Sequence, residues 1–96
     1  VNPYLMLTAI LGAALSGLED QKEPAPPVSG NAYAMDLPQI PTTWEAAIDA
    51  FDHSDIIYRF LPKELIRNLV QTKRQELHYI AELSPEERVE LYLDTV

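Results

Sequence analysis

An all-α fold, with about four helices and one proline-rich ordered linker, is what this chain of 96 residues predicts. Three observations point there. Residues 3–18 are apolar on every side at the length of an ordinary helix. From Thr42 onward, apolar residues recur at helical spacing behind recognisable start signals. No stretch of useful length alternates apolar with polar residues, and no internal repeat is present.

The first helix is expected over residues 3–18, PYLMLTAILGAALSGL. Asn2 is a suitable N-cap, Pro3 sits where proline is tolerated, and Gly17 is a candidate stop. Tyr4, Leu5, Met6, Leu7, Ile10, Leu11 and Leu15, with the alanines between them, cover every face. A helix apolar all round belongs inside a larger protein or a membrane. A transmembrane span needs about 20 apolar residues, and this run is shorter and carries Thr8 and Ser16. A signal peptide would place Lys or Arg ahead of the apolar run, where only Val1, Asn2 and Pro3 stand. The preferred reading is a buried helix whose covering partners lie outside these residues.

Residues 19–41 are expected to be an extended linker, because Pro24, Pro26, Pro27, Pro38 and Pro41 remove backbone donors and restrict φ. A flexible tether is one reading. Val28, Tyr33, Met35, Leu37 and Ile40 would want cover, which favours an ordered segment lying on a surface. Residues 42–96 form a helical region. Thr42 and Glu45 make a T-x-x-E capping box for a helix carrying Trp44, Ala47, Ile48 and Phe51. A short turn from Ser54 to Phe60 follows, then the longest helix, Pro62 to Glu82, with the stripe Leu65, Ile66, Leu69, Val70, Leu77, Ile80 and Ala81. Ser84-Pro85-Glu86-Glu87 opens a last helix that runs to the end.

Composition narrows the function classes. Seven Lys+Arg against 15 Asp+Glu leave a net charge of −8, without the basic stripe a phosphate backbone requires. Lys63, Arg67, Lys73 and Arg74 alternate with Glu64 and Glu76, as on a solvated helix face. No cysteine is present, so disulfides, thiolate nucleophiles and Cys-based zinc sites are excluded. The chain does not start with Met, as expected of a processed chain or a fragment.

Few residues suggest chemistry. Asp49, Asp52 and Asp55 flank His53, a mixture that can bind a divalent metal. Their position at a helix end and the next helix start is equally explained by the preference of acids for helix N-termini. His78 could pair with Glu82 or Arg74 on one helix. Gly12 and Ser29-Gly30 form no phosphate-cradling loop, and no catalytic triad can be assembled. No catalytic, cofactor-binding or metal-ligating residue is therefore assigned.

Taken in series, several runs resemble the segment following the catalytic core of the glutamine synthetase family, type I and γ-glutamyl-polyamine synthetase-like. They are Asn2-Pro3-Tyr4-Leu5, Ala9-Ile10-Leu11, Ala13-Ala14-Leu15-Ser16-Gly17-Leu18-Glu19, Asp36-Leu37-Pro38, Ala46-Ala47-Ile48, Lys73-Arg74-Gln75-Glu76 and Tyr92-Leu93. Pro26-Pro27-Val28-Ser29-Gly30-Asn31 is similar to the polyamine branch, whereas Glu19-Asp20 stands where many members have glycine and isoleucine. The resemblance implies the C-terminal helical part of an α/β catalytic domain, in a cytoplasmic enzyme of nitrogen metabolism. That enzyme would join glutamate to ammonia or an amine, using ATP and Mg or Mn. It also implies that the metal ligands and phosphate-binding arginines precede Asn2, so the chain alone would be inert.

Some type I enzymes are adenylylated on a tyrosine in an N-L-Y-D-L-P loop. Asn31-Ala32-Tyr33 and Asp36-Leu37-Pro38 resemble it, with Ala34-Met35 interposed, so Tyr33 is the one candidate modification residue. The expectation is that Tyr33 stays unmodified, its ring packed on the surface. The implied partners are the rest of the catalytic domain and further copies of the enzyme. By itself the chain is expected to self-associate through the 3–18 helix. The alternative, from a different class, is a free-standing helical interaction module docking through that helix.

Overall fold

The computed structural model describes residues 2–93, and helix accounts for all of its regular structure among them. The order is α1 (Pro3–Glu19), a single 3₁₀ turn (Ala32–Ala34), α2 (Trp44–Asp52), α3 (Asp55–Phe60), α4 (Lys63–Ala81) and α5 (Pro85–Leu93). The Ser54 turn is a helix in its own right, so the described residues hold five α-helices, four of them after Thr43. Residues 94–96, the end of the expected last helix, lie outside the described residues.

Local signals explain the helix starts. The Asn2 side chain accepts hydrogen bonds from the N–H groups of Tyr4 and Leu5 at 3.1 and 3.2 Å, with Pro3 at the first helical position. Ser54 accepts from Ile57 N–H. Ser84 and Glu87 form a reciprocal capping box, each side chain accepting from the other's backbone N–H at 3.2 and 2.8 Å. The cap of α2 needs correction: it is Thr43, whose Oγ1 accepts from Ala46 N–H at 3.2 Å, and not Thr42. Glu45 is then one residue too early to reach back in a capping box.

The stop of α1 also differs from expectation. Gly17 is helical, and the helix continues to Glu19. Lys22 N–H donates to Gly17 O at 3.0 Å and Gln21 N–H to Leu18 O at 3.2 Å, the paired reversed bonds of a Schellman ending. The left-handed residue this ending requires is Gln21, at φ 51°, where glycine would be the unstrained choice.

The core lies in the C-terminal half. Ile48 of α2, Leu61, and Ile66 and Val70 of α4 are buried, and Trp44, Phe51, Ile57, Phe60, Leu65 and Leu77 pack around them. The amphipathic stripe of α4 supplies this core as its spacing predicts, except that Ala81 is exposed. The principal helix pairs are α2 on α4 and α1 on α3.

The 3–18 helix is largely exposed among the described residues, with Ser16 its one buried residue there, and the six-residue α3 is its principal neighbour. One expectation is corrected within this chain: linker residues Val28, Tyr33, Met35, Leu37 and Ile40 are exposed rather than laid against a surface. The consequence is an open molecule. A compact chain of this length has a radius of gyration of about 12.5 Å, whereas this one has 16.8 Å.

Candidate interaction face

Helix α1 touches the rest of the chain along one stripe, formed by Leu5, Ala9, Gly12 and Ser16, which are more covered than their neighbours. Gly12 lies at its middle. A Cβ built there would stand 2.5 Å from Cδ2 and Cε2 of Phe60, so the ring occupies the space a side chain would need. One turn further, the Arg59 guanidinium donates to Ser16 Oγ at 2.6 Å, to the Asp20 carboxylate at 3.0 and 3.1 Å, and to Glu19 Oε2 at 2.8 Å. Hydrogen bonding from Arg59 holds the Asp20 carboxyl below its usual range, and the same contact raises Arg59. Phe60 and Arg59 together fix the position of α1 on α3.

The other side of α1 is largely uncovered by the described residues. Tyr4, Leu7, Leu11, Leu15 and Leu18 are 81, 52, 68, 57 and 77% exposed, and Met6 and Ile10 beside them are about half exposed. A folded chain of this mass exposes about 5,500 Å², and this one exposes 8319 Å², half as much again. Such an apolar patch marks an interaction surface.

A second apolar surface is the cleft between α2 and α4, about 280 Å³, lined by Trp44, Ala47, Phe51, Leu69 and Lys73 among others. The Lys73 ammonium stands 5.7 Å from the Trp44 ring centroid and pairs with Glu76 at 2.7 Å. Glu76 also accepts from the Tyr92 hydroxyl at 2.7 Å, tying α5 to α4. Its carboxyl is held below the usual range by hydrogen bonds from Lys73 first and Tyr92 second.

The acids singled out in the sequence are arranged otherwise than a metal site requires. Asp49 and Asp52 converge on the Arg74 guanidinium at 2.8 and 3.1 Å, bridging α2 to α4. His53 Nδ1 lies 2.8 Å from the Asp49 carbonyl oxygen, and Asp55 sits in the first turn of α3. Among the described residues no group of three or more acidic or histidine side chains gathers round one point. A donor set already neutralised by an arginine does not fit a divalent cation. Tyr33 lies in the 3₁₀ turn, its N–H bonded to Asn31 Oδ1 at 3.1 Å, and at 99% exposure its ring is not packed on the surface as expected. Arg59 and Phe60 carried no signal of their own in the sequence; Gly12, a glycine inside an apolar helix, was the available hint of a close approach.

The uncovered helix begins with the Asn2-Pro3-Tyr4-Leu5 run that carried the resemblance. The family described as glutamine synthetase, catalytic domain, matches residues 1–92. The chain belongs to the glutamine synthetase catalytic-domain family. A γ-glutamylethanolamide synthetase of Streptomyces coelicolor is 32% identical over 77 residues, covering 80% of this chain and 17% of that protein. A glutamine synthetase of Aquifex aeolicus is 31% identical over 105 residues, covering 97% of this chain and 22% of that protein. A glutamine synthetase of Methanococcus maripaludis is 29% identical, covering 78% of this chain and 19% of that protein. The chain thus spans about a fifth of the length of these relatives. No solved structure matches it. Within the described residues, no helix is long and apolar enough to cross a membrane.

Proposed function

We propose that this chain is the C-terminal structural part of a cytoplasmic, ATP-dependent γ-glutamyl ligase that joins glutamate to ammonia or an amine. Its role is to brace and clothe the catalytic part, and its own residues carry out no step. The observation that carries the reading is the bare apolar surface of α1, opposite the stripe packed on α3, in a chain matching about a fifth of its relatives. Burying each large side chain of that surface against the remainder of the domain is worth about 1.5–3 kcal/mol.

ATP and Mg or Mn belong to the whole enzyme in this reading. Asp49 and Asp52 are engaged by Arg74, and Glu19 and Asp20 by Arg59, so no step is routed through metal on these residues. Phosphoryl chemistry needs carboxylates and cationic groups converging on one point. Calorimetric titration of the chain with Mg-ATP tests this. No saturable heat is expected, and a clear binding isotherm would sink the proposal. Tyr33 is proposed to remain unmodified, because Ala34-Met35 interrupts the loop pattern that adenylylated members carry.

The same bare α1 face also favours a second reading, a free-standing helical module that docks on another protein. The reading frame upstream of Val1 separates the two. A continuous frame carrying acidic and arginine ligand motifs supports the ligase, and a start codon close to Val1 supports the module.

A further inference from the structure

Helix α5 lies almost entirely in the open. Of its residues Pro85–Leu93, Tyr92 is the one that is not exposed. Nine residues are few for a helix in water, since isolated helices shorter than about 12–15 residues are marginal. The Ser84–Glu87 box caps its start but reaches only the first turn. At its other end the Tyr92 hydroxyl donates to Glu76 Oε1 of α4 at 2.7 Å. Glu76 is engaged on its second oxygen as well. Lys73 Nζ donates to Oε2 at 2.7 Å, and the same ammonium stands 5.7 Å from the Trp44 ring centroid on α2. One carboxylate therefore joins three helices in a line, Tyr92–Glu76–Lys73–Trp44. We infer that this line is a latch: Tyr92 and Lys73 orient the same carboxylate, so the order of α5 and the seating of the Lys73 cation over Trp44 are gained and lost together.

The reason lies in what each partner keeps alone. Without the Tyr92 hydroxyl, the Glu76 side chain regains rotamer freedom, and Lys73 is left with a solvent-screened i,i+3 ion pair on a half-exposed side chain. Such a pair does not hold an ammonium over one ring face. Without Lys73, nothing fixes which oxygen of Glu76 faces α5, and Tyr92 loses an aligned acceptor. Hydrogen-bond networks of this kind are worth more than their separate pairs. Opening the latch is an order–disorder change of one segment. It bares the Trp44 ring at the rim of the cleft that Phe51, Leu69 and Lys73 also line. The cleft itself survives, because Arg74 ties α2 to α4 separately through Asp49 and Asp52.

Two measurements on the 96-residue chain read the ends of the line separately: amide hydrogen exchange in α5, and fluorescence of Trp44, the only tryptophan. Tyr92→Phe keeps the ring and removes the donor. It is expected to speed exchange in α5 about two- to tenfold, and also to shift Trp44 emission and raise its quenching by acrylamide. Lys73→Met keeps the length of the side chain and removes its charge. It is expected to speed α5 exchange about twofold, besides changing Trp44. In the double variant, α5 exchange should match the more affected single variant rather than the product of the two. Core amides of Ile66 and Val70 should stay protected throughout, which separates unlatching from unfolding. Lys63→Met, at the far end of α4, should move neither reading. The inference is overturned if α5 ignores Tyr92→Phe or Lys73→Met, if Trp44 ignores Tyr92→Phe, or if the two effects simply multiply. Loss of core protection in either single variant overturns it too, since the line would then be part of the global fold. None of these outcomes depends on the ligase reading or on the Mg-ATP titration.

Discussion

Replacing Gly12 with alanine separates two effects that usually arrive together. In a helix interior, Gly→Ala is favourable by about 1 kcal/mol, through lower unfolded-state entropy and better propensity. At Gly12 the new Cβ falls 2.5–2.6 Å from three carbons of the Phe60 ring. That ring cannot simply swing aside, because Phe60 also packs on the Ile48–Leu61–Ile66–Val70 core. Overpacking of this kind costs about 1–3 kcal/mol, so the net effect runs from neutral to a loss of about 2 kcal/mol. Gly17→Ala, in the same helix with nothing within 4 Å of the added carbon, is the control, because it has no steric component. Gly12→Ala should therefore be less stable than Gly17→Ala by about 1–3 kcal/mol, with about 4–8 °C of midpoint per kcal/mol in a chain of this size. Thermal unfolding followed by far-UV circular dichroism reads all helices, and Trp44 fluorescence reads the α2–α4 core separately. Loss of dichroism from α1 ahead of the Trp44 transition would show α1 leaving its seat while the core persists. The reasoning fails if Gly12→Ala equals or exceeds Gly17→Ala in stability.

Other substitutions probe the remaining contacts. Thr43→Ala should cost about 1 kcal/mol as the loss of an N-cap, while Thr42→Ala should be near neutral; urea unfolding of the pair checks which threonine caps α2. Gln21→Gly should stabilise the end of α1 by roughly 0.5–1 kcal/mol, since φ 51° no longer opposes a side chain; hydrogen exchange of the last turn would reveal it. Ile66→Ala, at a position with no exposure, should cost about 2–5 kcal/mol and leave little cooperative unfolding by Trp44 fluorescence. Asp20, held below its ordinary value of 3.8, stabilises the fold fully above that pH and loses its contribution as pH falls through the lowered value. Exchange protection of α1 should fall with acid in that window, and Asp20→Asn should flatten the dependence.

Start signals were legible because they act within a few residues of themselves. Asn2, Ser54 and the Ser84–Glu87 pair bond N–H groups no more than three residues away, and the sequence places them without any knowledge of packing. The α4 stripe was legible for a related reason, since a single apolar side leaves one way to bury it. Where local alternatives were nearly equal, the reading slipped. Adjacent threonines offered two caps for α2, and Gly17 offered a stop that the chain passed over in favour of Gln21. The side of α1 that would be covered could not be read at all, because every side is apolar. That choice rests on partners more than forty residues distant: the Phe60 ring in the gap at Gly12, and the Arg59 guanidinium reaching Ser16 across 43 residues. Neither residue has a periodicity or motif to announce it, since its role exists only once α3 lies against α1. Composition and order of motifs were enough to place the family, but only the packing of α3 on one stripe of α1 left the opposite stripe, centred on Leu11, bare.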